Sequence, residues 1–455
     1  MITRTWSWIK IREWEFPLLP LLRSCTLIFF LLLSWWGWPY LPPLFLLLLL
    51  LLLFIEEKSA FRFRLSSWVK GQFAAGKIYL YLYLYWLGNL FFVARPPLAL
   101  LGQTNFWTTD AKIFSAYLPF LLALFPLQTL QKYKKQFLDF FLAAATFWAG
   151  IGIIQYLTEI KIPFLGQRQQ LILLVHKGAL IHKLFIGGFL SHNAAAAFYL
   201  LPFFLLLNRA NQAREKKEKI LAAAATLIVL LALIFSFSRS GLQGLIIGLL
   251  LWLIFRSRVE EKLSRRRFLA LFFSFLIAVP LFLFTLQHLS PRWARKIERL
   301  TNFSGYNVQT RLRLWNRAIN YSLQSPLNGI GISRFNDQNF SLHFFLPPLP
   351  FLYSQGGKRI INEAHAHNSY LHLLAESGII GSALFLTFWL ALILQLWQNY
   401  QQNGAEIILA LLTALGGLFS SAFFENTLAS PSVIFAYLTL IVFYGLNNAP
   451  LTTKN

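Results

Sequence analysis

Residues Ile220 to Phe235 read ILAAAATLIVLLALIF, an uncharged run bracketed by charge on both sides. Arg214, Lys216, Lys217 and Lys219 come before it, and Ser238-Arg239-Ser240-Gly241 follows. About 20 apolar residues in a helix cross the roughly 30 Å hydrocarbon core of a bilayer. A basic cluster at one end of such a run marks the cytoplasmic face. The run therefore reads as a membrane span that starts inside and ends outside. Leu41 to Phe54 is equally free of charge. Composition extends the reading to the whole chain, which is 57% hydrophobic, 17% aromatic and only 13% charged. A soluble domain carries about 25% charged residues. The class is an all-α integral membrane protein, a single polytopic domain over residues 1–455.

Apolar run length predicts about twelve transmembrane helices. Their limits are 19–37, 40–55, 78–96, 113–130, 136–157, 190–207, 219–237, 241–255, 267–286, 378–397, 405–424 and 431–447. Basic residues follow spans two, four, six and eight, as in Lys132, Lys134 and Lys135 or Arg265 to Arg267. All these loops fall on one side, which places both termini in the cytoplasm. The expected location is a bacterial inner (plasma) membrane, crossed many times. The formal net charge of +24 is then explained by basic loops lying against anionic lipid, with no nucleic-acid partner. Cys25 is the only cysteine, so no internal disulfide can form. Glu13 and Glu15 interrupt the basic N-terminus, which is unlike a cleavable signal peptide.

The external side holds a long, partly helical loop, 287–366, before span ten. Leu171 to Ile186 is apolar but contains two His-Lys pairs, and reads as an interfacial or re-entrant helix. Three polar groups converge on this external side. Arg239 sits in the tight turn between spans seven and eight, either snorkelling to the interface or binding an anion. Arg311 and Arg313 precede Leu314-Trp315, either as a solvated helix face or as anion ligands. His367 stands at the mouth of span ten, where histidine can take a proton from a hydroxyl near neutral pH. Glu363, His365, His367 and His372 have spacing that could hold a metal. Against that stand the basic surroundings and the lack of an Asp-x-Asp pair among Asp110, Asp139 and Asp337. The expectation is no metal and no cofactor.

Four motifs then carry a resemblance. They are Gly188-Phe189-Leu190-Ser191-His192-Asn193 with an alanine-rich span after it, Phe237-Ser238-Arg239-Ser240-Gly241, Thr310-Arg311 with Trp315 and Ser325-Pro326-Leu327-Asn328-Gly329-Ile330-Gly331, and His367-Asn368-Ser369-Tyr370-Leu371 with Glu376-Ser377-Gly378. In this order they resemble the O-antigen ligase and polymerase superfamily of bacterial membrane glycosyltransferases. The resemblance implies a metal-independent, inverting transfer of a glycan from a polyprenyl diphosphate to an acceptor hydroxyl. The acceptor would be a glycan, lipid A core or a protein hydroxyl, a choice the motifs leave open. His367 would be the base, and Arg239 with Arg311 or Arg313 would bind the diphosphate. His192, Asn193 and Asn368 would complete the substrate site. The competing classes are a small-anion transporter of bicarbonate type and a non-catalytic envelope assembly protein. A transporter should place ionisable residues near mid-span, where this chain has few.

Overall fold

The computed structural model describes residues 74–93, 127–158, 191–259, 306–332 and 365–445, with short pieces between them. Its helices are α1 (Ala74–Gly88, continuing as a π turn to Val93), α2 (Leu127–Thr158), α3 (His192–Gln212), α4 (Lys216–Phe235) and α5 (Arg239–Val259). They continue with α6 (Tyr306–Gln324), α7 (Ser369–Asn403), α8 (Glu406–Ser421) and α9 (Pro431–Leu440, ending in a π turn to Gly445). Among the described residues, five helices are long and apolar enough to cross a membrane: Lys134–Thr158, α3, α4, Arg239–Arg256 and α7. The chain is thus helical and multi-pass. Expected spans one and two lie outside the described residues.

Two local readings are corrected. The described part of Leu171–Ile186 is a short antiparallel hairpin, β1 (Leu174–His176) with β2 (Ala179–His182), and not an interfacial helix. Lys177-Gly178 separates the strands, and a glycine in a two-residue connection favours a hairpin over a continuous helix. The helix expected from residue 378 starts instead at Ser369. Residues 369–377 precede the apolar run that set the expected limit, and Asn368 caps them as helix, its Oδ1 accepting from the Tyr370 and Leu371 amides at 3.0 Å each.

α3, α5 and α8 form the centre of the bundle, and small residues set how closely they approach. A Cβ on Gly244 would lie 2.6 Å from the Gly417 carbonyl oxygen, and one on Gly417 would lie 2.6 Å from that of Gly244. Lipid tails supply no hydrophobic drive between helices, so this close backbone contact and the dispersion it allows hold the pair. At one end of the bundle, Arg209 meets Asp139 at 2.5 Å and Glu218 at 3.4 Å, while Tyr444 donates to the Lys134 carbonyl at 2.7 Å. The starts of α3, α5 and α7 and the turn after α8 lie at the opposite end, where they meet in hydrogen bonds described below.

The motifs around Asn328 and Glu376 form one joint. Gly378 breaks α7 with φ 64° and ψ −168°, a conformation that essentially only glycine adopts. Breaking the helix there frees backbone groups, and the loop after α6 satisfies them. Ile379 and Ile380 donate to the Pro326 and Leu327 carbonyls at 2.8 and 3.2 Å. Ala375 and Glu376 carbonyls accept from Ile330 and Gly331 at 2.9 and 3.0 Å. The Glu376 carboxylate also accepts from the Phe335 amide at 3.1 Å. Asn89 of the α1 extension ties in the loop, donating to the Asn328 carbonyl at 2.7 Å and accepting from the Ile332 amide at 2.9 Å. α6 is thereby fixed to α7. Gly378→Ala would set a Cβ 2.2 Å from the Leu327 carbonyl oxygen. We expect a loss of about 3 kcal/mol or more, seen as a lower thermal unfolding midpoint of the detergent-purified protein.

Candidate functional site

Glu425 organises the polar end of the bundle. It lies in the turn between α8 and α9 and is buried. Ser369 at the start of α7 ties that turn down, its hydroxyl donating to the Glu425 carbonyl at 3.0 Å and accepting from the Leu428 amide at 3.2 Å. Oε2 of Glu425 accepts from the Asn193 side-chain amide and faces the Arg311 guanidinium at 3.5 Å. Oε1 meets Nδ1 of His367 at 2.9 Å and the Asn426 amide at 3.3 Å, with Nε2 of His365 at 3.9 Å. Burial alone would raise the Glu425 carboxyl pKa. The hydrogen bond and charge of His367, with His365 and Arg311, outweigh burial and bring it from 4.5 to about 2. The group is a carboxylate at any physiological pH.

Each neighbour is placed by a local feature. Ser191 caps α3, accepting from the Ala194 amide at 3.0 Å, so His192 and Asn193 fall in the first turn. Oδ1 of the Asn193 side chain accepts from the Ser238 hydroxyl at 2.7 Å, and the Ser238 hydroxyl sits 3.0 Å from that of Ser240. Arg239 lies between these two serines as the first residue of α5. It lies within electrostatic reach of the Arg311 guanidinium. His367 has φ 51°, a left-handed conformation uncommon outside glycine, though histidine adopts it more often than most side chains. Such strain persists where surrounding contacts hold it, and functional sites are where it clusters. Its ring packs on that of His365 with centroids 4.3 Å apart.

The structure thus brings Asn193, Arg311 and His367 onto one carboxylate, with Arg239 beside Arg311. His192 shares the first turn of α3. Arg313 is two residues from Arg311, about 200° around α6, so the two cannot face Glu425 together. Asn368 is a helix cap, with its Oδ1 engaged by α7. Glu425 itself is absent from the set expected from sequence. A signal existed: from Glu406 to Lys454 it is the sole charged residue in a long apolar stretch.

Because Glu425 is ionised and accepts only, the hydrogen in the 2.9 Å bond belongs to Nδ1 of His367. The neutral ring then has Nε2 as its basic nitrogen. His365, His367 and Glu425 could also hold a metal ion, their ligand atoms lying within 4.8 Å of one another. A tetrahedral ion with ligands at about 2.0–2.1 Å keeps them about 3.3 Å apart, however, and the 2.9 Å Nδ1 to Oε1 separation is that of a direct N–H···O hydrogen bond. Of the other two expected ligands, His372 faces Glu376 at 3.5 Å, and Glu363 lies outside the described residues.

A comparison with curated proteins finds no match for the chain. Residues 224–386, which hold Arg239, Arg311 and His367 but neither Asn193 nor Glu425, match the family model described as O-antigen ligase, and the chain resembles the O-antigen ligase and polymerase superfamily.

Proposed function

We propose that the chain is a glycosyltransferase that moves a glycan from a polyprenyl diphosphate to an acceptor hydroxyl on the external face of the membrane. The observation that carries this reading is the Glu425-bound imidazole of His367 on the same carboxylate as Arg311. In the proposed step, Nε2 of His367 takes the acceptor proton. The acceptor oxygen forms a bond to the anomeric carbon from the face opposite the diphosphate, so configuration inverts. The bond from the anomeric carbon to the diphosphate oxygen breaks, and the polyprenyl diphosphate leaves with the electron pair. Arg239 and Arg311 stabilise the charge that builds on its oxygens. The N-termini of α3, α5 and α7 contribute partial positive charge at the same end. Arg311 is loosely held at 3.5 Å, so it can turn to a phosphate without breaking a short bond. The diphosphate is a good leaving group, and a base with two arginines suffices without a metal.

Transport is less well supported. A transporter's ion or substrate site lies near the bilayer midplane. Here the charged cluster sits at helix ends. The family match likewise points to transfer.

The test is transfer by the protein in lipid nanodiscs, supplied with a glycan on a polyprenyl diphosphate and an acceptor. Released polyprenyl diphosphate and extended acceptor are expected in equal amounts. Arg239→Ala and Arg311→Ala should each weaken transfer by about 1.5–3 kcal/mol, roughly ten- to a hundredfold, through loss of a charge-assisted contact. Arg239→Lys should recover only part, since an ammonium lacks the two-pronged geometry of a guanidinium. Arg313→Ala should remain near the parent rate. Silent Arg239 and Arg311 variants would remove the diphosphate from this site.

A further inference from the structure

α6 has two apolar faces, and protein covers one of them. Leu314, Ala318 and Tyr321 are buried against Ile330, Phe335, Ala366 and Ala375. Roughly 140–180° around the helix, Ile319 and Leu323 are exposed at 37% and 53%. They are four residues apart and so lie one above the other. A helix with one face in water would carry polar groups there. Leu327, at 60% exposure, continues the stripe into the loop.

That loop connects the stripe to the exposed apolar surface of α7, a helix of membrane-spanning length. The Pro326 and Leu327 carbonyls accept from Ile379 and Ile380, which are themselves 55% and 41% exposed. From there Leu386, Leu390 and Leu394 run down α7 at four-residue spacing, each about half exposed. α7 is long and apolar enough to span the membrane, so this lane faces acyl chains. The same apolar surface passes from α7 across the Gly378 joint onto α6.

We propose that α6 lies in the membrane interface, with Ile319, Leu323 and Leu327 set into the lipid of the leaflet at the Glu425 end. The occupant of this face is phospholipid. An interfacial helix buries such a stripe about 5–10 Å into the boundary between headgroups and acyl chains and keeps basic residues on its other faces. Arg313 and Arg317 lie on another side of α6. Arg317 donates to the Tyr321 hydroxyl at 2.9 Å and lies over the Phe335 ring. One consequence rests on the transfer reading: the seat would hold Arg311 at the depth of a lipid-borne diphosphate. The seating itself does not depend on that reading.

The test uses the full chain with Cys25→Ser, in nanodiscs of phosphatidylethanolamine and phosphatidylglycerol. Single cysteines replace Ile319, Leu323 or Leu327 and carry a nitroxide. Collision with oxygen, which partitions into lipid, is compared with collision with a water-soluble nickel chelate. Leu390→Cys is the lipid reference and Lys217→Cys the water reference. The stripe labels should lose nickel collisions and rank with Leu390. Nickel access equal to that at Lys217 overturns the proposal, because the stripe is then in water. Shielding from both reagents also overturns it, because a second copy or another part of the chain then covers the stripe. Transfer activity is not read, so failure of the seating is separable from failure of the transferase reading.

Discussion

His367→Gln removes transfer while leaving the protein folded and able to bind donor. General-base catalysis is worth about 10²–10⁴-fold, and the loss should fall in that range. Glutamine keeps a hydrogen-bonding side chain at the site but supplies no nitrogen basic enough to take the acceptor proton. The ring is held by Glu425 at 2.9 Å, so the variant loses an oriented base. The measurement is single-turnover transfer at saturating donor, with donor binding followed separately. The expected split is an unchanged binding constant with a collapsed rate. His365→Ala should be much milder, because His365 stands 3.9 Å from Glu425 and supports its neighbour by ring contact. A chelator should leave the parent rate intact. A His367→Gln protein that turned over at the parent rate would leave the mechanism without a base.

The second large effect is expected at Glu425. Glu425→Ala leaves the guanidinium of Arg311, the Nδ1 hydrogen of His367 and the amide of Asn193 without their shared acceptor. Removing one partner from a buried charged set costs about 3–5 kcal/mol. Much of this variant's loss will be stability, so the sharper test is Glu425→Gln. The amide fills the same volume and can still accept from Asn193. It can also turn its NH2 toward Nδ1 of His367, which fixes the wrong tautomer and puts the ring hydrogen on Nε2. An analogous change in a histidine–aspartate pair of serine proteases costs about 10⁴ in rate. Glu425→Gln is therefore expected to keep most of the thermal stability and lose transfer by a factor on the order of 10²–10⁴. A merely structural Glu425 would show the two properties falling together.

Glu425 also predicts a pH dependence. Its pKa falls from 4.5 to about 2 on folding, so the folded state prefers the ionised form. The resulting stability is complete above about pH 4.5 and is lost as pH falls toward 2. Unfolding midpoints of the parent should drop through that acid window. The Glu425→Gln variant should lack this component, and between pH 5 and 8 Glu425 should contribute no slope.

The helical, membrane-spanning class was legible in the chain because burial in lipid imposes a uniform demand. Each backbone polar group must be paired within its own segment, and about 20 apolar residues must follow one another. Ile220–Phe235 meets that demand alone, and the structure places α4 over Lys216–Phe235. Arg239, Arg311 and His367 were legible as candidates for a related reason. Charge and imidazole are conspicuous at the ends of apolar runs, and their motifs were in order along the chain. Asn193 was legible only through the motif around it.

Local rules failed where pairing is not local. Residues 369–377 fell outside the span expected from apolar run length. They are helical because Asn368 caps them and because residues 326–331, distant in sequence, pair with the backbone that Gly378 releases. The same joint explains why two motifs nearly fifty residues apart occur together. Arg311 and Arg313 were equal by composition, and only the rotation of α6 about its axis separates them. Sequence by itself determined the solvent of this protein, the helical class and the residue types able to do chemistry. Tertiary structure alone decided that Glu425, 58 residues beyond His367, is the acceptor that sets its tautomer. A hydrogen bond fixes a proton only when both partners are placed, and here five helices and a turn must pack before they are.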